Sequence, residues 1–416
     1  MTEFSISKIP TPGAMAVDFE ERVNFERLRS YRLQRTKAAL DSSSLGAMLC
    51  FDVNNIRYTT ATAIGEWARD KFTRYSMLTR TGEPWVWDFG SAVRHHRMYA
   101  PWLAADHNLP GMNGLRGGIP PDVGLFERCA KEIKGILVDE GVADLPLGVD
   151  VIELPLLAAL QAEGLKVEDC QQVMLSAREI KSPDEISLLS MACAMVDGAF
   201  QLISEELKPG IKENQLVGLV SKRLYDLGSD DVEAVNAISG ERCNPHPHNF
   251  TDRIIRPGDQ AFFDIIQSFN GYRTCYYRTM NVGRATPSQH DAYTQAREWI
   301  DTVIAQIHPG ASSNDIALAF PKAEEFGFSS ELEAFGLQFC HGLGLGLHER
   351  PIISRLNSLS HPMEIKVGMV FAVETYCPAS DGVSAARIEE EVVVTESGPK
   401  IITLFPAEEL FIANKY

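Results

Sequence analysis

The sequence has no run of 18 uninterrupted apolar residues, so no membrane span is expected. Its opening stretch, MTEFSISKIPTPGAM, lacks a basic segment followed by an apolar one. A secretory signal is therefore not expected, and a cytoplasmic location is. Basic residues are outnumbered, 39 Lys and Arg against 56 Asp and Glu, for a net charge of -17. That balance leaves little basic surface for phosphate and argues against a nucleic-acid partner. Paired cysteine motifs are missing as well: Cys50, Cys129, Cys170, Cys193, Cys243, Cys275, Cys340 and Cys377 are scattered, with no C-x-x-C. This suits reduced thiols in a cytosolic chain better than a disulfide framework. What remains is an ordinary globular composition, 45% apolar and 23% charged, on a chain of 416 residues, long enough for two domains.

The first half alternates helical and strand-like stretches. Residues 25–40 carry arginines and leucines at helical spacing, while GAMLCF (46–51) and WVWDF (85–89) are short apolar runs that suit strands of a covered sheet. A Pro/Gly-rich loop segment (109–122), a helix and a short strand near 147–151 follow. Trp67, Trp85, Trp87 and Tyr99 are expected in the core of this α/β domain. A new helix starts at Ser182-Pro183, where Ser182 is a good N-cap, Pro183 fits the first helical position and Glu185 completes a capping box. Ile186, Leu189, Met191, Ala194 and Val196 begin its apolar face. The domain boundary is expected at 177–183, giving an N-terminal α/β domain of residues 1–178 and a second domain of 179–416. The second half repeats itself: LKPGIKENQL (207–216) is echoed by IHPGASSNDI (307–316), a helix break and restart offset by one hundred residues.

Four segments carry residues suited to chemistry. Asp264 interrupts the apolar strand AFFDII, where a carboxylate is costly unless paired or bound to a cation. In FCHGLGLGLHERP (339–351), His341 and His348 flank an alternating Gly-Leu run. Gly342, Gly344 and Gly346 remove one row of side chains there, so that a ligand or another backbone can come close. Glu374 interrupts GMVFAVETYCP, and Glu389 precedes a strand in ARIEEEVVVTESG, with Glu390 and Glu391 expected to face solvent. Taken singly, each has a bland reading as an edge-strand acid or a surface histidine. Together, Asp264, His341, Glu374 and Glu389 suggest a hard-cation site, for which oxygen ligands and one imidazole suit Mn, Fe, Co or Zn.

The order of these residues, with HGLGLGLHERP, GMVFAVE and RIEEEVVVTESG, resembles the pita-bread (creatinase/aminopeptidase) metallohydrolases. The boundary text REIKSPDEISLL, the duplication and the length are similar to the Xaa-Pro peptidase group. The resemblance implies a creatinase-like α/β domain followed by an α+β pita-bread catalytic domain with internal duplication. It also implies a homodimer and a small-molecule or dipeptide substrate. By the same resemblance His341, Glu374 and Glu389 fall on metal-ligand positions, and His348 on a position that contacts substrate. His246 or His248, in NPHPHNFTDRIIRPGD, falls near the family's other active-site histidine.

One position departs from that pattern. Where those hydrolases place a second, bridging Asp before an Arg-Thr pair, GYRTCYYRT has Cys275, and one sulfur cannot copy a two-oxygen bridge. The expectation is a C–N hydrolase with an atypical centre of one divalent metal, Asp264, Cys275, His341, Glu374 and Glu389 being its candidate ligands and His246, His248, His348 and Glu374 its catalytic candidates. Three alternatives stay open. One is a metal-free hydrolase like the creatinases and ectoine hydrolases, in which His and Glu serve as acid and base. Another is a C–S lyase, since MLCFDVNNIRYTT and WVWDF are similar to the dimethylsulfoniopropionate lyases. The last is an inactive peptide-binding module.

Overall fold

The computed structural model describes residues 23–65, 69, 71–112, 114–245 and 247–415. The first half folds around a six-stranded sheet of β1 (Ala47–Cys50), β2 (Tyr75–Thr79), β3 (Trp85–Asp88), β4 (Asn108–Pro110), β5 (Leu147–Val149) and β6 (Val167–Asp169). Its order is β4-β3-β2-β1-β5-β6, and β1, β5 and β6 run parallel. Apolar runs become strands here because helices Leu125–Asp139 and Phe25–Asp41 supply buried faces to the layer. Trp87 is fully buried and stacks on Tyr75 at a centroid distance of 4.9 Å. Trp85 is half-buried against His107, whereas Tyr99, expected in the core, is 64% exposed at the end of helix Ser91–Tyr99. That helix is short and packs through Val93 and His96, whereas the Tyr99 ring lies beside the exposed ring of His95 at a centroid distance of 4.8 Å. Trp67 lies outside the described residues.

The capping box at Ser182 forms as its sequence requires, with Ser182 accepting from the backbone of Glu185 and Glu185 accepting from that of Ser182. Helix Pro183–Glu206 has the length and apolar content of a membrane span, but half of its most apolar window is buried against the strands beside it. Leu189 and Val196 lie in that contact, Ile186 and Met191 are half-buried, and Ala194 faces outward.

Two antiparallel sheets follow. The first contains β7 (Asp231–Ser239), β8 (Gln260–Phe269) and β9 (Tyr272–Val282), with β15 (Phe411–Ala413) added parallel to β9. The second runs in the order β11-β10-β12-β13-β14, from β10 (Phe339–Gly342), β11 (Glu349–Ile353), β12 (Val370–Pro378), β13 (Ala385–Thr395) and β14 (Gly398–Ile401). They meet along β9 and β13, where the Thr279 hydroxyl donates to the Arg387 carbonyl at 2.9 Å and accepts the Arg387 N–H at 2.8 Å.

The repeat seen in the sequence is a structural one. Gly210 and Gly310 both adopt positive φ after the first helix of each copy, and their N–H groups donate to Ile255 and Ile365 at 2.9 and 2.8 Å. Lys212 bridges Ile254 and Ser312 bridges Glu364 in the same way. Gly258 (φ 83°) and Gly368 (φ 88°) then turn the chain into β8 and β12. Asp264 and Glu374 each lie six residues past that glycine, so the duplication delivers one acid from each copy to matching places.

Gly368 is held by more than its dihedral. A Cβ there would lie 2.9 Å from Ile180 Cγ2 and 3.1 Å from the Lys181 carbonyl oxygen, whereas one on Gly382 (φ 77°) would meet open space. Gly382→Ala should therefore cost about 1–2 kcal/mol for the left-handed backbone alone. Gly368→Ala should add about 1–3 kcal/mol of overpacking. Urea unfolding of the two variants measures the difference, and equal losses would contradict it.

Candidate metal centre

Strand alternation and register place the candidate ligands on one wall. In the second sheet His341 lies across from Ala372, and Glu374 directly across from Glu389. Residues two apart on a strand share a face, so His341, Glu374, Glu389 and Arg387 all point the same way. From the other sheet come Asp264, opposite Tyr277, and Cys275, opposite Ile266. The two sets converge where β9 and β13 cross. Ligand atoms of Asp264, Cys275 and Glu389 lie within 4.8 Å of one another, as do those of His341, Glu374 and Glu389. Cys275, the most accessible of the five, is only 6% exposed.

The electrostatics of this cluster are unbalanced. Burial, reinforced by the charge of Asp264, drives the Glu374 carboxyl well above its ordinary range against the pull of Arg387. Glu389 is driven up by burial and then by Glu374 and Asp264. Asp264 is raised by burial although Asn236 Nδ2 donates to it at 2.9 Å. Three carboxylates thus face one guanidinium, a surplus of two negative charges when all are ionised.

His341 sharpens the point. Its Nδ1 is 3.1 Å from the Gly342 carbonyl oxygen, which assigns the ring proton to that nitrogen. Burial, then His348, lowers its pKa to about 3, so the ring is neutral. Its bare Nε2 lone pair is aimed at Glu374 Oε1, 3.4 Å away. Neither His341 Nε2 nor Glu389 Oε1 has a hydrogen-bond partner among the described residues. Two acceptors and a carboxylate facing one another in a dry wall repel unless a cation or protons sit between them. The donor set, one imidazole and two carboxylates with a third behind, fits a divalent ion of the Mn, Fe, Co or Zn type.

Cys275 sits at the edge of this arrangement. Its sulfur is 3.6 Å from Asp264 Oδ1 and 3.9 Å from Glu389 Oε2. Burial and then the Glu389 and Asp264 charges push the thiol far above its ordinary pKa, so it stays protonated and donates to Asp264.

The histidines separate into two places. His348 is solvent-accessible, with its ring centroid 4.4 Å from that of His341 and 6.4 Å from that of Phe339. His248, also accessible, lies near enough to the centre for burial and Arg387 to lower its pKa while Asp264 opposes them. His246 lies outside the described residues. The glycines between the histidines make room for the protein's own chain: a Cβ on Gly342 would lie 2.3 Å from the Arg350 carbonyl oxygen, and one on Gly344 2.7 Å from Glu349 Oε2.

Sequence reasoning missed Arg387. It is fully buried, donates to Tyr277 Oη at 2.6 Å and Glu374 Oε2 at 3.3 Å, and lies 4.1 Å above the Tyr277 ring. Its position two residues before Glu389 was the available signal. The expectation of solvent-facing Glu390 and Glu391 is also corrected, because β13 is packed on both faces. Glu390 pairs with Arg278 at 2.9 Å and Arg297 at 3.1 Å. Glu391 accepts from Thr274 Oγ1, Cys193 Sγ and the Cys275 N–H.

The model of metallopeptidase family M24 matches residues 187–396, just over half of the chain, and the protein belongs to that family. A dimethylsulfoniopropionate lyase DddP from Roseovarius nubinhibens is 26% identical over 407 residues, covering 92% of this chain and 87% of the relative. The Xaa-Pro dipeptidase of Pyrococcus furiosus is 28% identical over 245 residues, 58% of this chain and 67% of the relative. Among solved structures, an Xaa-Pro dipeptidase from Bacillus anthracis superposes with a TM-score of 0.73 at 20% identity, over 92% of this chain and 99% of the other. The chain has the two-domain pita-bread fold of these neighbours, an α/β domain followed by a duplicated α+β domain.

All eight cysteines are free and buried. An aromatic disulfide reagent at neutral pH should therefore find essentially no fast-reacting thiol in the native protein and eight after denaturation. One rapidly modified thiol that maps to Cys275 would contradict the protonated, enclosed sulfur described above.

Proposed function

We propose that the protein hydrolyses a C–N bond of a small substrate, a dipeptide, amide or amidine-like compound, at a centre that holds one divalent metal ion. The observation that carries this reading is the pair of orphaned acceptors, His341 Nε2 and Glu389 Oε1, facing Glu374 in a dry wall. His341, Glu374 and Glu389 would hold the ion, with Asp264 beside them and Cys275 as a neutral neighbour in place of a bridging carboxylate. A surplus of two negative charges supports one divalent ion rather than two. Such an ion supplies Lewis acidity toward a scissile carbonyl and toward water.

The protein's own residues do the rest. Glu374, ionised when it holds the ion and made more basic than a solvated carboxylate by its burial, would take the proton from the attacking water and return it to the departing nitrogen. His348 and one of His246 and His248 hydrogen-bond the oxygen on which negative charge develops. Arg387, fixed by Tyr277 and Phe262, keeps Glu374 oriented. Reduced, enclosed thiols accord with a cytoplasmic enzyme, and a homodimer belongs to the same reading.

A second reading is favoured by one specific finding: the likeness to the dimethylsulfoniopropionate lyases spans 92% of the chain, including the N-terminal half. On that reading the same centre removes a proton from a sulfonium substrate and breaks a C–S bond. Against it, β8 offers Asp264-Ile265-Ile266 where those lyases carry further aspartates, and this chain adds the HERP segment.

Elemental analysis and substrate panels separate these readings. Wild-type protein should carry about one divalent ion per chain, His341→Ala none, and Cys275→Asp close to two. Chelation should abolish turnover of Xaa-Pro dipeptides or small amides, and restored metal should return it. Full activity without metal would replace this mechanism by a creatinase-like one, and turnover of dimethylsulfoniopropionate alone would establish the lyase. Loss of every activity together with intact folding would leave a peptide-binding module.

A further inference from the structure

The chain between His341 and His348 is anchored from behind. Glu349, the neighbour of His348, is 2% exposed; its carboxylate accepts from Lys181 Nζ at 3.1 Å and the Gly346 N–H at 2.8 Å, and Arg178 Nε lies 3.2 Å away as an ion-pair partner. Burial works to raise this carboxyl, but Lys181, Arg178 and the Gly346 N–H outweigh it and keep it ionised. Gly344 and Gly346 exist as glycines for this carboxylate, since a Cβ at either would lie 2.7 or 3.2 Å from its atoms.

Both cations belong to the connection between the two halves of the molecule. Arg178 ends helix Gln171–Arg178 and also donates to Asn55 Oδ1. The Lys181 backbone N–H donates to the Gly368 carbonyl at 2.8 Å, just ahead of the strand that carries Glu374. A second clamp holds the same loop: Arg273 donates its N–H to Gly344 O at 2.8 Å, and its guanidinium reaches Leu345 O and, at 2.8 Å, Asn54 Oδ1. The His348 ring, by contrast, has ring contacts with His341 and Phe339 and no hydrogen bond among those the described residues form. Its place over the centre therefore follows from its backbone, which Glu349 and Arg273 both hold.

We infer that Glu349 is a positioning residue, which holds His348 over the metal centre through Arg178 and Lys181 and so makes the site depend on how the N-terminal domain is seated. The inference rests on the reading of His348 as a site residue. Removal of Glu349 leaves two buried cations without their anion, and removal of Lys181 takes from the carboxylate the hydrogen bond that ties it to the connection between the halves; in either case the loop must shift to satisfy the groups left behind.

The test uses full-length protein labelled at histidine Cε1, with His348→Ala to identify the His348 cross-peak. Glu349→Gln preserves volume and the Gly346 contact; Lys181→Met, distant in sequence, keeps Glu349 and Arg178. The expected result is displacement or broadening of the His348 cross-peak in both variants at unchanged pH, and its retention in Lys181→Arg. On whichever substrate is turned over, kcat should fall about ten- to a hundredfold, as when an orienting outer partner is lost, with KM changed less than about threefold. A His348 cross-peak unmoved in both Glu349→Gln and Lys181→Met overturns the inference, and if Glu349→Gln fails to fold, Lys181→Met alone decides. Undiminished turnover by His348→Ala would sink the role of that ring in catalysis, a separate outcome from the anchoring read in the spectra.

Discussion

Dehydration of carboxylates is the constraint around which the C-terminal domain is organised. Asp264, Glu374 and Glu389 are each withdrawn from water beside one another, with Arg387 as their fixed positive charge. Isolated, such groups would protonate or refuse burial. They stay together because two sheets cross at that point and deliver them by alternation, and because aromatic rings and strand hydrogen bonds keep the guanidinium from leaving. The surrounding wall is then shaped by the need to match this charge. Asn236 and the Cys275 thiol donate to Asp264, while Glu391, one layer back, has three donors of its own.

The same layout shows why substitution at a single strand position alters the chemistry open to the site. In the second copy of the repeat the two acids face each other across a hairpin, Glu374 against Glu389. In the first, Asp264 faces Tyr277, and the place for a second acid falls at Cys275, two register pairs away on the same face. A thiol there supplies a proton where a carboxylate would supply two oxygens and a charge. On the His341 side, His341, Glu374 and Glu389 still bring three ligand atoms within 4.8 Å of one another.

Much of this was legible in the sequence. Asp264 and Glu374 stood out because a carboxylate within an apolar strand needs a reason, and His341 and His348 because a Gly-Leu alternation between two imidazoles leaves one side of a strand bare. The capping box at Ser182 and the echo of Leu207–Leu216 in Ile307–Ile316 are local patterns that tertiary structure had no cause to override. What local pattern could not supply was the second face of β13. Glu390 and Glu391 read as solvated neighbours of Glu389 until Arg278 and Arg297 arrive on one side and Thr274 on the other. Arg387 escaped for a related reason, because a lone arginine in a strand is ordinarily a surface residue. Tyr99 erred in the opposite direction, since aromatic character alone does not say which side of a short helix is turned to the core.

The duplication has a consequence for how such a centre can change. Each copy contributes its own part of the cluster, and the two halves need not be altered in step. On the single-ion reading, the half bearing His341, Glu374 and Glu389 has kept the task of gripping, while the half bearing Asp264 and Cys275 is released to tune acidity and shape. Symmetry inherited from an ancestral repeat becomes a division of labour, in which one arm can be rewritten while the other keeps the molecule's chemistry in place.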